Sequence, residues 1–215
     1  MMYYNVHTHP HGASEDVLYI ENLYKNFEGN IDGKKVSMGL HPWYLDAEKL
    51  DQEIENLAKY SVKPEVLAIG ECGLDKLSGT DWNLQLKAFR AQVKLAQEMN
   101  KPLIIHCVKA FNEVLLELKQ VKVPVIMHGI NNKLSIVQPA IDRGFYLSFG
   151  KALLGQNETT LNTFRNSPLE QVFLETDDSD ADIREIYRSA ARIKNISEKE
   201  IVLQLEKNFL NLFHS

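Results

Sequence analysis

The chain has 215 residues, is 44% hydrophobic and 25% charged, and carries a formal charge of −5. This is enough chain for a core of its own and reads as one domain over residues 1–215; the acidic balance excludes a general electrostatic trap for nucleic acid, and the lack of any apolar run near the roughly 20 residues of a membrane helix excludes a span. Two cysteines, Cys72 and Cys107, exclude a disulfide scaffold, and with no signal-like N-terminus the expectation is a reduced, cytoplasmic protein.

The first strand is the run Met2-Tyr3-Tyr4-Asn5-Val6, ending in His7-Thr8-His9. Pro10 stops it, having no N–H to donate to a ladder. Residues two apart on a strand share a face, so His7 and His9 aim two imidazoles at one point. The plain alternative is a polar strand end with two ordinary surface histidines. Val17 to Tyr24 is strand two, rich in β-formers, and the connection before it is too short for a helix. Lys35 to Leu40 is strand three, ending at His41-Pro42. Leu50, Ile54, Leu57 and Ala58 give Asp46 to Tyr60 a helical period. Val66 to Gly70 is strand four, with Glu71 just after it. Asp81 to Asn100 is a long amphipathic helix closed by Asn100-Lys101-Pro102.

The alternation then repeats. Leu103 to Ile105 is strand five and stops at His106. Ala110 to Lys119 is a helix, and Val123 to Met127 is strand six, stopping at His128-Gly129. Lys133 to Arg143 is a helix closed by Gly144 as its C′ glycine. Phe145 to Ser148 is strand seven, Val172 to Thr176 is strand eight, and Asp177 follows. Helices over about 183–193 and 198–209 finish the chain.

Short apolar strands between amphipathic helices signal an α/β fold with a parallel, helix-covered sheet. Eight of them predict a (β/α)8 TIM barrel, slightly truncated against the usual length of about 250 residues, with its first helix short or missing. The runner-up is an open doubly wound sheet, which lacks support because no glycine-rich phosphate loop follows strand one.

Seven chemically able groups end strands: His7, His9, His41, Glu71, His106, His128 and Asp177. In a parallel barrel such ends gather at one rim, where barrel enzymes work. Any one of them reads well as a polar strand end. All seven together point to metal coordination, the chemistry that His, Glu and Asp share. Four imidazoles and two carboxylates suffice for two divalent ions with open positions. Glu71 has two oxygens to bridge them, and Asp177 could be both ligand and acceptor of a water proton.

The stretches Asn5-Val6-His7-Thr8-His9, Gly39-Leu40-His41-Pro42, Gly70-Glu71-Cys72-Gly73-Leu74-Asp75, Ile105-His106, His128-Gly129 and Leu174-Glu175-Thr176-Asp177 resemble, in order, the motifs of the TatD family of metal-dependent deoxyribonucleases. The resemblance implies that His7 and His9 hold one metal and His106 and His128 the other, with Glu71 bridging and Asp177 as ligand and base. It implies two divalent ions, zinc, magnesium or manganese, and a phosphodiester substrate such as DNA. Four departures stand out. Asn5 replaces an Asp. Val108-Lys109 stands where the family has an Arg. Ile130-Asn131-Asn132 replaces a Phe-Ser-Gly segment, and acidic Asp178-Ser179-Asp180 replaces a Pro-rich one. They spare the metal set but remove phosphate and substrate contacts.

His41, Trp43 and Lys109 are the expected substrate contacts: His41 and Lys109 for a phosphate, Trp43 for a base. The alternative is that Trp43 packs under the helix from Asp46 and Lys109 is a solvated helix start. Competing functions are hydrolysis of a small phosphoester or amide on the same barrel, and a non-catalytic metal-binding relative. The sequence gives no oligomeric state.

Overall fold

The computed structural model describes residues 1–9 and 14–213, so Pro10, the expected stop of strand one, lies outside the described residues. Eight strands are hydrogen-bonded in sequence order in one sheet: β1 (Tyr3–Thr8), β2 (Val17–Leu23), β3 (Val36–Met38), β4 (Val66–Asp75), β5 (Leu103–Val108), β6 (Val125–Met127), β7 (Tyr146–Phe149) and β8 (Val172–Leu174). The β1–β2, β3–β4, β4–β5 and β7–β8 pairs are parallel. A parallel bridge between Thr8 and Asp177 joins the end of β1 to the residues after β8. With helices between the strands, this is the (β/α)8 barrel fold.

The helices are α1 (Leu50–Tyr60), α2 (Trp82–Met99), α3 (Phe111–Glu117), α4 (Leu134–Ile141), α5 (Glu158–Asn166), α6 (Ile183–Lys194) and α7 (Glu198–Phe213). Among the described residues no helix lies between β1 and β2, and none between β2 and β3. Among the described residues two helices are therefore absent where one was expected. The second connection turns instead, through Asn26 and Gly33 at φ of 54° and 73°, a conformation those residues adopt readily. α5 was not expected, because its threonines weaken the helical period.

Contacts divide the chain into two compact units, residues 1–21 with 127–215, and residues 22–126. In the first, α6 and α7 pack on β1. The Tyr187 hydroxyl, fully buried, donates to Tyr4 O (3.0 Å) and accepts from Tyr4 N (3.1 Å). Tyr4 also meets Phe209 at 4.6 Å between ring centres. These contacts fix β1 three residues before His7.

In the second unit α2 packs on β4 and turns two buried glutamines inward, Gln85 and Gln92. Positions seven apart lie on one helix face. Gln92 closes a pair of bonds on Leu40, accepting from its N–H (2.7 Å) and donating to its carbonyl (3.1 Å). Gln85 does the same to Asp75 at 2.8 and 3.1 Å. The helix thus grips the backbone next to His41 and at the end of β4.

Candidate metal centre

The two strands that carry the first ligand candidates are both bulged beneath them. On β1, Asn5 pairs with Tyr19 and Thr8 with Glu21, so three steps on β1 match two on β2. On β4, Ile69 pairs with Leu103 and Cys72 with Ile105, again three steps against two. A bulge bends its strand and re-aims the side chain there. Glu71 accordingly lies inside β4, not after it as expected, and His106 lies inside β5. The Gly70-Glu71-Cys72-Gly73 motif has a steric reason. A Cβ on Gly73, at φ 153°, would sit 1.9 Å from His106 O, and one on Gly70 2.4 Å from Ile104 O.

In the first unit, Asp177 N donates to His7 O (3.0 Å) and His9 N donates to Asp177 O (3.1 Å). This clamp brings Nε2 of His7 and of His9 to 3.5 and 3.7 Å from Asp177 Oδ1. His128, just after β6, puts its ring 4.3 Å from that of His7. One ligand atom each from His7, His128 and Asp177 fits within 4.8 Å. Glu175, fully buried, accepts from Gly129 N (2.7 Å) through Oε1 and faces His128 Nδ1 at 3.5 Å. Its Oε2 is buried with no hydrogen bond among the described residues. A buried carboxylate oxygen in that position calls for a cation. Below, Asn5 donates to Thr176 Oγ1 (2.7 Å) and accepts from Thr176 N (3.1 Å). An amide can do both, and a carboxylate cannot, which gives the Asn5 departure a structural role. A cavity of about 150 Å³ opens beside Asp177, lined in part by Gly129, Asn131, Lys151 and Glu175.

In the second unit, Glu71 is held by Asn22, which donates to Oε2 (3.0 Å) and accepts from Glu71 N (3.0 Å). Glu71 Oε1 lies 2.8 Å from His106 Nδ1 and 3.2 Å from His41 Nε2. The other His106 nitrogen, Nε2, meets Asp75 Oδ2 at 3.1 Å. Asp75 also accepts the Trp43 indole N–H at 2.6 Å. Burial pushes the Asp75 carboxyl up, but hydrogen bonds from Trp43, His106 and the Leu77 N–H outweigh it and hold the group below its usual range. His41 Nδ1 accepts the Trp43 backbone N–H (3.1 Å), so its proton sits on Nε2. In that tautomer His41 Nε2–H points a donor at Glu71 Oε1.

The residues present fit divalent cations. Buried imidazole and carboxylate donors converge in each unit, and His106 Nδ1 and Glu71 Oε1 need a proton or a cation shared between them. Trp43 is 54% exposed. Lys109 is exposed at a bend just after β5, with φ 55°.

Residues 14–214 match the family described as TatD related DNase. The chain belongs to this family. It is 30% identical to an uncharacterized metal-dependent hydrolase of Buchnera aphidicola, over 91% of this chain and 80% of that protein. It is 26% identical to the uncharacterized metal-dependent hydrolase YcfH of Escherichia coli, over 88% and 77%. Among solved structures, a TatD family hydrolase of Entamoeba histolytica has the same fold, with a TM-score of 0.80, 18% identity and coverage of 99% and 98%. The protein is thus a metal-dependent hydrolase of TatD type.

Three side chains that stand against the candidate ligands of this TatD-type chain were not singled out from sequence: Asn22, Asp75 and Glu175. Asp75 and Glu175 fall inside matching TatD motifs, the signal that could have marked them. Asn22 sits in an ordinary strand and carries no such signal.

Proposed function

We propose that this protein hydrolyses phosphodiester bonds, with single-stranded DNA as its substrate class. The observation that carries the reading is the pair of buried imidazole–carboxylate clusters, one in each unit. His7, His9, His128 and Asp177 would hold one divalent ion and Glu71 and His106 a second; His128 stands with His7 and Asp177 in this reading, where the resemblance implies a pairing with His106. Zinc suits the imidazoles, and magnesium or manganese suits the phosphate chemistry. Bound cations would acidify an attacking water and neutralise charge on the phosphate oxygens.

The chain's own groups do the rest. Asp177, with its side chain 35% exposed, accepts the water proton while its backbone stays clamped. Glu71, oriented by Asn22, is the second catalytic carboxylate. His41 Nε2–H and the Lys109 ammonium bind the phosphate, and Trp43 lends a face to a base. The two free thiols are in keeping with a cytoplasmic setting; no helix is long and apolar enough to cross a membrane. The small cavity beside Asp177 favours a second reading, a small phosphoester, over a long duplex.

The test is turnover of a single-stranded oligonucleotide and of bis(p-nitrophenyl) phosphate by the full chain with Zn²⁺, Mg²⁺ or Mn²⁺. Cleavage of both supports the reading. Cleavage of the small ester alone selects the second reading, and cleavage of neither overturns both.

A further inference from the structure

Trp43 is a large side chain held in an uncommon way. Its indole N–H is tied to buried Asp75, and its ring stands edge-to-face with those of His41 and His106, 5.0 and 5.9 Å between centres. Yet more than half of it is exposed. Orientation is thus fixed while a face stays open. Next to it is a cleft of about 330 Å³, lined by Trp43, Asp75, Leu77, Ser78, Gly79 and Val108. That volume is at the lower end for ligand sites, about 300 Å³, and suits one ring system rather than a long chain. Leu77 is 72% exposed, an apolar wall turned to water. Tyr44, the next residue after Trp43, is 58% exposed and stacks on Tyr24 at 5.0 Å. Adjacent exposed aromatic and aliphatic surface of this kind marks a place that something covers.

Asp75 says what. One carboxylate oxygen, Oδ2, meets both the Trp43 indole N–H and the His106 ring. A ring in the cleft is therefore one side chain away from His106, about where a base would lie if its own phosphate were held beside the cluster. We infer that the Trp43 cleft is a subsite for a nucleobase, which stacks on the indole between Leu77 and Val108 while its 5′-phosphate is held by His41 and Lys109 beside the cation site of Glu71 and His106. This rests on the phosphodiesterase reading and adds to it a preference for substrates that carry a base. Base–aromatic stacking is tolerant of sequence, since every base has a π-face, so the subsite selects nucleotides over plain phosphoesters without selecting among bases.

The experiment is a binding titration with no turnover. The chain has two tryptophans. In a Trp82→Phe background the emission reports Trp43 alone. The Zn²⁺-saturated protein is titrated with 2′-deoxyadenosine 5′-monophosphate and with 2-deoxyribose 5-phosphate, which share a phosphate and differ by the base. The nucleotide should quench the emission saturably and bind at least about tenfold more tightly, in the range that stacking on an aromatic ring supplies. A Cβ on Gly79 meets no atom within 4 Å, so Gly79→Leu narrows the cleft without forcing the backbone. It should weaken the nucleotide about tenfold and leave the sugar phosphate unchanged. Equal binding of the two ligands, nucleotide binding without quenching, no nucleotide binding at millimolar concentration, or a folded Gly79→Leu with unchanged nucleotide affinity would each overturn the subsite. The comparison of ligands needs no variant in the cleft, so a misfolded Gly79→Leu leaves the test intact. Turnover of bis(p-nitrophenyl) phosphate reads the parent proposal separately. Turnover without a base effect removes only the subsite, whereas a base effect in a chain that cleaves no diester removes only the hydrolysis.

Discussion

Asp177 has a left-handed backbone, φ 53°, of a kind that only Gly, Asn and Asp adopt at low cost. Two backbone bonds, to His7 and from His9, hold it there, and neither uses the side chain. Asp177→Asn therefore keeps the fold, because Asn tolerates the same φ. The amide cannot accept a proton or carry charge to a metal. Turnover of a phosphodiester at saturating metal should fall by about 10²–10⁴-fold, the usual worth of a positioned base, with the melting temperature nearly unchanged. Near wild-type turnover would remove Asp177 from both of its proposed roles. Asp75 is a different case. It meets the nitrogen of His106 opposite Glu71, so it sets which His106 nitrogen is left to a cation. Asp75→Asn should weaken Zn²⁺ binding about 10–100-fold, measured by competition with a chromogenic chelator. Unchanged affinity would leave Asp75 as support for Trp43 only. At this scale the histidines were legible because each follows or ends an apolar run. Asn22 was not, because a polar residue in a strand reads the same whether it faces water or a buried ligand.

Elements place these side chains through backbone grips that composition does not advertise. The periodic apolar residues of Asp81 to Asn100, which are Leu84, Leu86, Phe89, Val93, Leu95, Ala96 and Met99, marked a helix. They said nothing of Gln85 and Gln92, which lie among them, are buried, and bond the backbone at Asp75 and Leu40. Strand four was also read too short, since a glycine on each side of Glu71 looks like a turn. Gly70 and Gly73 are instead points of close approach between β4 and β5. This makes a sharp contrast between two glycines with positive φ. Gly144, φ 77°, ends α4 with open space around it, and Gly144→Ala should cost about 1–2 kcal/mol, the penalty of the left-handed conformation alone. Gly73→Ala adds a collision with a backbone carbonyl and should exceed about 4 kcal/mol, among the largest single effects. Urea denaturation of both variants measures the difference; equal losses would show that β4 can move away from β5 at little cost.

For the whole molecule, the order of eight strands was readable because each apolar run is bounded by a breaker or a polar end. How contacts group those strands was not, since packing between elements leaves no local mark. The two units are divided between Glu21 and Asn22, inside β2, and between Ile126 and Met127, inside β6. Domain boundaries normally fall in exposed linkers that few contacts cross. A division that cuts hydrogen-bonded strands is a poor boundary, and we propose that the chain unfolds as one domain. Its probes are unevenly placed, which makes the proposal testable. Trp43 and Trp82 both belong to the unit of residues 22–126, as do both thiols. Burial pushes the Cys72 thiol up, and burial foremost pushes Cys107 up, to about 12. At pH 8 both are therefore protonated in the folded state, and Cys72, fully buried, reacts with a disulfide reagent only as that unit opens. Far-UV circular dichroism reports helices of both units, α1 to α3 in one and α4 to α7 in the other. In urea, tryptophan emission, thiol exposure and circular dichroism should pass through one coincident transition. A tryptophan and thiol transition displaced from the circular dichroism midpoint would show two units that unfold separately, and would replace the single domain with two.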